Sequence, residues 1–235
     1  MSVIAFQSVV KSFGGLRPLR LKRLEVGEGD VVALSGFDKP MAEVFANLVM
    51  GATLPDEGTV RAFGRATSDI VDSDDWLAML DRFGIVSERV VLLEQFTPLQ
   101  NIAMALTLDV EPLGGEVRTQ VEGVAREAGL RVSDWELPLS GTTAAIRHRV
   151  RLARALAASP KVLLVEHPIE GVEPADIGPL AADLRRAAAG RQLAMVVLAA
   201  DPALAMPFAP RVLRLNGATG ELTETGRGLL KKLFG

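Results

Sequence analysis

Apolar and polar residues alternate twice near the start of the chain, over residues 4–10 and 19–26, with Gly14-Gly15 between the two runs. A period of two predicts a pair of half-buried strands joined by a turn. The pattern then changes. Residues 31–35 are a short unbroken apolar run, the mark of a strand buried on both faces. Residues 40–50 carry apolar side chains at helical spacing and stop before Gly51, which predicts a helix. A turn at 54–58 leads to a strand at 59–63, and Asp72-Ser73-Asp74-Asp75 supplies cap residues for a helix at 76–82. Further strands are predicted at 83–86, 161–165, 193–198 and 211–215. Further helices are predicted at 98–108, 117–128, 146–158, 176–189 and 202–208. Strands alternating with helices predict a largely parallel α/β sheet. The strand-rich start predicts an antiparallel β lobe, and the helices between 98 and 158 an inserted helical lobe.

Composition sets the frame. Of 235 residues, 49% are hydrophobic and 23% charged, which predicts a packed core rather than disorder. No run reaches the ~18–20 apolar residues of a membrane helix, because the longest candidate, 193–206, is interrupted by Asp201-Pro202. The first residues alternate like a strand and lack a signal-peptide layout. The absence of cysteine excludes disulfides and thiolate metal sites, and His148 and His167 are too few for a histidine-rich one. A net charge of -3 gives no electrostatic reason to expect nucleic acid. A soluble, cytoplasmic domain is expected, ending in a short basic tail at 226–235.

Between the strand at 31–35 and the helix at 40–50 stands GFDKPMAEV, residues 36–44. This is the place of a phosphate loop, G-x-x-x-x-G-K-[ST], whose backbone N–H groups and lysine hold phosphates. Gly36 fills the first position. Met41 stands at the second glycine, Ala42 at the lysine and Glu43 at the hydroxyl residue.

The order of segments around that loop resembles the nucleotide-binding subunit of ABC transporters over nearly the whole chain. VVKSFGG (9–15) resembles the family's entry strand, and LPDEGTVRAFG (54–64) the stretch after the first helix. FGIVSE (83–88), with Leu92, Leu93, Thr97 and Asn101, resembles the Q-loop region. VRLARALAASPKVLLVEHP (150–168) resembles the helix after the signature motif running into the Walker B strand. The subgroup most like it is the small exporters that pair with permeases of the lipoprotein-release type. The resemblance implies a P-loop NTPase-like ABC cassette: one domain over 1–235, with a RecA-like core at about 1–88 and 159–225 and a helical lobe at about 95–158.

The resemblance also implies site positions, and many hold altered residues. Phe13 is the aromatic expected to stack on adenine. Ala42 cannot supply the lysine's charge. Glu43 can touch a metal but sets an anion near phosphates, and Lys39, three positions early, is the candidate substitute cation. The other reading of the loop is an ordinary helix start, with Asp38 as N-cap and Pro40 in the first turn. Glu88 stands at the Q-loop glutamine, either as a metal-binding carboxylate or as a solvent-facing loop residue. Glu166 stands at the metal-linked aspartate, and His167 at the catalytic glutamate. The signature segment aligns with Thr142-Thr143-Ala144-Ala145-Ile146, without glycine. Glu173 holds the D-loop aspartate position, and Ala200 the switch histidine. The basic stretch Arg147, His148, Arg149, Arg151 and Arg154 reads either as a phosphate site or as a solvated helix with ion pairs.

Phosphoryl transfer depends on positioning and charge stabilisation by groups that act as a unit. With so many of them changed together, the residues predict weak or absent ATP hydrolysis, no catalytic residue in a working role, no resident metal, and Mg-ATP held poorly or not at all. The expected function is an ABC transporter ATP-binding-type subunit, cytoplasmic and peripheral to the inner face of the membrane. It would act with a membrane permease, as a homodimer or paired with an active ATPase subunit. Two alternatives stand beside it: a non-catalytic scaffold or regulator of an envelope complex, and an active ATPase rewired around Glu166 and His167.

Overall fold

Strand β1 (Ser2–Lys11) turns back through β2 (Leu19–Gly27), and β3 (Val31–Ser35) leads into helix α1 (Lys39–Val49). Next come β4 (Glu57–Ala62), the short β5 (Arg65–Ala66) and α2 (Ser73–Leu80). The chain continues through β6 (Phe83–Val86), α3 (Pro98–Ala103), α4 (Gly115–Glu127), α5 (Ala144–Ala157), β7 (Val162–Glu166) and α6 (Pro174–Arg191). It closes with β8 (Ala194–Ala199), α7 (Pro202–Ala205), β9 (Arg211–Asn216) and β10 (Glu221–Glu224). This computed structural model describes residues 1–15 and 17–225; the basic tail at 226–235 lies outside them. Two compact units divide the chain. One comprises Met1–Leu80 with the chain from Ala194 on, and the other Asp81–Leu193.

The first unit holds an antiparallel sheet in the order β2-β1-β4-β5 and a parallel group in which β3 pairs with both β8 and β9; β10 adds an antiparallel edge to β9. Along β1 and β2 the alternation buries Ile4, Phe6, Val9, Leu19, Leu21, Leu24 and Val26. The register between β1 and β4 slips between Gln7 and Val10, where Ser8 takes a positive φ of 51°. Gly58 makes this approach feasible: a Cβ there would stand 2.3 Å from the Ser8 carbonyl oxygen. Phe45 of α1 stacks on Phe6 with centroids 4.9 Å apart and meets the edge of Phe37 at 5.7 Å. All of these rings are buried, which stabilises by roughly 1.5–3 kcal/mol per side chain.

In the second unit β6 and β7 pair in parallel, and α3, α4 and α6 pack around α5. The α5 residues Val150, Leu152, Ala153 and Leu156 are fully buried. The predicted helix 98–108 ends early, at Ala103. Leu106 N–H bonds to Ala103 with a tighter i−3 spacing, and the Thr107 hydroxyl accepts from Asp109 N–H, so a turn replaces the last helical turn. Helix α6 runs longer than predicted, to Arg191, and stops where Gln192 takes a left-handed φ of 55°. The edge strand β10 and the two-residue β5 carry no periodicity long enough to be read from sequence. Among the described residues no helix is long and apolar enough to cross a membrane.

Candidate functional site

The loop after β3 is short. Gly36, Phe37 and Asp38 separate β3 from α1, which begins at Lys39. Gly36 has a φ of 89°, and a Cβ on it would lie 3.2 Å from the Leu215 carbonyl oxygen, so glycine is required here for conformation and space. Its N–H donates to the carbonyl of Ala200 (3.1 Å), and the Phe37 N–H to the carbonyl of Ala199 (3.1 Å). The Asp38 side chain accepts from Met41 N–H at 2.9 Å and caps α1, while Ala42 N–H closes the first helical bond to the Asp38 carbonyl at 2.9 Å. Pro40 has no N–H to offer. The backbone donors of Gly36, Phe37, Met41 and Ala42, with which a phosphate loop would hold an anion, are therefore committed to Ala199, Ala200 and the helix itself. Phe37 is fully buried and meets Phe45 of α1 edge-on.

The other sequence-predicted positions of this unit follow. Ala42 is fully buried in α1, whereas Lys39 and Glu43 are exposed in its first turns. Ala200 contributes its carbonyl to Gly36, and Asp201 caps α7 by accepting from Ala203 N–H at 2.8 Å. Phe13 is half-buried in the turn after β1. A Cβ on Gly15 would fall 2.8 Å from its ring, so the Gly14-Gly15 turn gives the aromatic its place.

In the second unit Glu166 ends β7 and is buried, 5% exposed. Ser87 Oγ donates to Glu166 Oε2 at 2.6 Å, and Arg89 Nε donates to the same oxygen at 3.0 Å. A second guanidinium nitrogen of Arg89 donates to Oε1. The Arg89 backbone N–H donates to Ser87 Oγ at 3.2 Å, which closes the ring of bonds. Glu88, between these two residues, is exposed. The sequence reading reached Glu88 and Glu166 but missed Ser87 and Arg89, which flank Glu88 and reach β7. No periodicity or motif in this stretch signals that pairing, because Ser87 and Arg89 lie in the turn after β6 and Glu166 is distant in sequence.

His167 follows with a φ of 46°, sparsely populated for a residue with a Cβ, and its Nε2 is buried without a hydrogen-bond partner. His148 on α5 is 1% exposed, and neither ring nitrogen makes a hydrogen bond of normal geometry, although the Glu170 carbonyl stands beside the ring. Burial, with Arg151 next, pushes its pKa down to about 4, against the opposing pull of Glu88 and Glu170.

The arginines of the basic stretch are engaged within the unit. Arg147 forks onto Glu94 (2.6 and 2.8 Å), Arg149 pairs with Asp183 (2.7 Å), and Arg151 and Arg154 donate to the carbonyls of Val90 and Val91. They fasten the segment after β6 and the helix packing, which is the ion-paired reading of that stretch. Asn101, fully buried, holds the same segment: it accepts from Leu93 N–H at 2.8 Å and donates to the carbonyls of Leu93 and Thr97. At the signature position Thr143 caps α5 by accepting from Ile146 N–H. Glu173 begins α6 without a side-chain cap bond.

Residues at the family's metal positions do not fit a divalent cation. Both Glu166 oxygens face donors, and Glu43 replaces the hydroxyl ligand. Among the described residues no group of three or more His, Cys, Asp or Glu could hold a metal.

The fold is that of an ABC ATPase cassette, a P-loop NTPase-like sheet with an antiparallel β lobe and an inserted helical subdomain. It matches CbiO1 from Clostridium perfringens, described as part of the CbiONQ transporter complex, with a TM-score of 0.78 at 16% identity over 99% of this chain and 90% of that one. It also matches the cassette MJ0796, in a dimeric structure bound to ADP and Pi, with a TM-score of 0.73 at 22% identity over 94% of this chain and 97% of that one. The lipoprotein-releasing system ATP-binding protein LolD 2 of Caulobacter vibrioides is 34% identical over 171 residues, 69% of this chain and 70% of that protein. The phosphonates import ATP-binding protein PhnC of Anaeromyxobacter dehalogenans is 31% identical over 205 residues, 83% of this chain and 40% of that protein. No family model matches the chain. The chain belongs to the ATP-binding subunits of ABC transporters. It spans 40% of the PhnC relative and 63% of a sulfate/thiosulfate importer subunit, CysA of Thermosynechococcus vestitus.

Proposed function

We propose that this chain is an ABC transporter ATP-binding-type subunit that docks on a membrane permease from the cytoplasmic side, and that its own site hydrolyses ATP weakly or not at all. The observation that carries the second half is the Glu166 carboxylate, engaged on both oxygens by Ser87 and Arg89. The committed backbone donors of the 36–42 loop and the buried methyl of Ala42 point the same way. On this reading Mg-ATP is held poorly or not at all. The domain limits belong to the same proposal, a core at about 1–88 and 159–225 with a helical lobe at about 95–158.

The permease would meet the segment from Glu88 to Asn101, which Asn101 and the α5 arginines hold in place. The cassette would pair with a second copy or with an active ATPase subunit. The relatives are named for phosphonate import, sulfate/thiosulfate import and lipoprotein release. These cargoes and directions differ, so the proposal names a permease and no cargo.

Thermal shift and calorimetry with Mg-ATP, beside a turnover assay, test it. A ligand at about 1,000 times its Kd stabilises by about 4 kcal/mol. Neither shift nor turnover, with a permease co-purifying, is the expected outcome. Absence of any permease partner would favour a free regulator. Turnover abolished by Glu166→Gln would establish a rewired ATPase and overturn the proposal.

A further inference from the structure

We propose that Arg89 is a built-in countercation that keeps the Glu166 position free of divalent metal. The inference rests on reading Glu166 as the metal-linked position, and it adds what occupies that position instead.

A divalent magnesium ion needs oxygen ligands in near-octahedral array at short range. The Glu166 carboxylate is already engaged: the Arg89 fork bonds both oxygens and Ser87 Oγ adds a bond to Oε2, which takes three of its roughly four acceptor sites. Geometry makes the arrangement durable. Ser87 and Arg89 leave the same turn after β6, which the Val90 N–H closes on the Ser87 carbonyl at 3.0 Å. The Ser87 hydroxyl accepts from the Arg89 backbone and donates to the carboxylate, so its proton is directed at Glu166. A planar guanidinium matches a carboxylate two-pronged and does not deprotonate in proteins. The neutralisation is therefore permanent across ordinary pH, unlike a metal whose occupancy follows its concentration. The charge also repels. Even at the dielectric of water, a fixed unit charge about 4 Å from a divalent ion weakens that ion's binding by more than about tenfold.

Mn²⁺ titration read by electron paramagnetic resonance tests the assignment on the full chain, in wild type, Glu166→Gln, Arg89→Gln and the double variant. Wild type and Glu166→Gln are expected to bind Mn²⁺ identically. Arg89→Gln is expected to gain a site more than about tenfold tighter than any in wild type, and the double variant to lose it. Loss of a wild-type Mn²⁺ site on Glu166→Gln would overturn the proposal, as would a folded Arg89→Gln that gains nothing. If Arg89→Gln does not fold, Arg89→Lys replaces it: a single-pronged ammonium is expected to admit Mn²⁺ more weakly than glutamine would but more tightly than wild type, and wild-type behaviour would count against the fork. The outcome is separable from the reading of the whole site. A metal on Glu166 without ATP turnover sinks only this inference, whereas turnover sinks the catalytic reading.

Discussion

Arg89 grips Glu166 with a two-pronged ion pair, in which the carboxylate side chain is 6% exposed and the guanidinium side chain 36%. The partners come from the turn after β6 and from the end of β7. Removing one partner would leave the other beside a desolvated space, which for a fully buried pair costs about 3–5 kcal/mol.

Arg89→Ala is therefore expected to destabilise the chain by about 2–3 kcal/mol, reduced from the fully buried figure by the exposure of the guanidinium. Urea unfolding of wild type and variant measures this. A change below about 0.5 kcal/mol, the size of an ordinary surface substitution, would show that the pair is ornamental.

Refilling the altered letters of the phosphate loop is expected to fail. Ala42→Lys with Glu43→Ser restores the missing side chains but not the N–H groups of Gly36 and Phe37, which stay bonded to Ala200 and Ala199. Calorimetry should detect no Mg-ATP binding. Micromolar binding by that double variant would mean that the loop opens readily. Asp38→Ala, which removes only the α1 cap, is expected to cost about 1 kcal/mol in a thermal melt.

His148 makes stability fall with acid. Its pKa is depressed in the folded chain to about 4, with Arg151, Glu88 and Glu170 the charged groups facing it. Below its ordinary value near 6.5 the unfolded chain takes up a proton that the folded chain refuses. The contribution is thus fully present above pH 6.5 and declines as pH falls toward 4, by about 3 kcal/mol in all. Urea unfolding across that window should show the slope, and His148→Leu should remove this share of it.

Asn101→Ala would release the segment that Asn101 ties down. The loss of bonds to Leu93 and Thr97, with their polar groups left unmatched, is expected to cost about 2–3 kcal/mol. Hydrogen exchange at the Leu93 amide should accelerate while β7 stays protected. If the permease docks at this segment, co-purification should weaken as well.

Much of this was legible beforehand because periodicity reports burial. The alternation in β1 and β2, the solid apolar run of β3 and the α1 stripe each follow from which face meets the core. Asp38 and Pro40 announced a capped helix by their chemistry, and the cap bond to Met41 is present. What sequence concealed were pairings between distant segments. Nothing in Ser87-Glu88-Arg89 indicates that the outer residues, not the middle one, reach Glu166. Likewise His148 looked like one member of a charged run, yet the helical spacing puts it on the buried face with Ala145 and Leu152 while Arg147 and Arg151 turn toward the segment after β6.

Steady-state ATP hydrolysis by the purified chain with Mg-ATP, against Glu166→Gln as control, tests the proposed loss of hydrolysis most directly. Wild type and control are expected to give the same background rate. A wild-type turnover that disappears in Glu166→Gln would contradict the account, because it would require a carboxylate free to act where Arg89 and Ser87 now hold it.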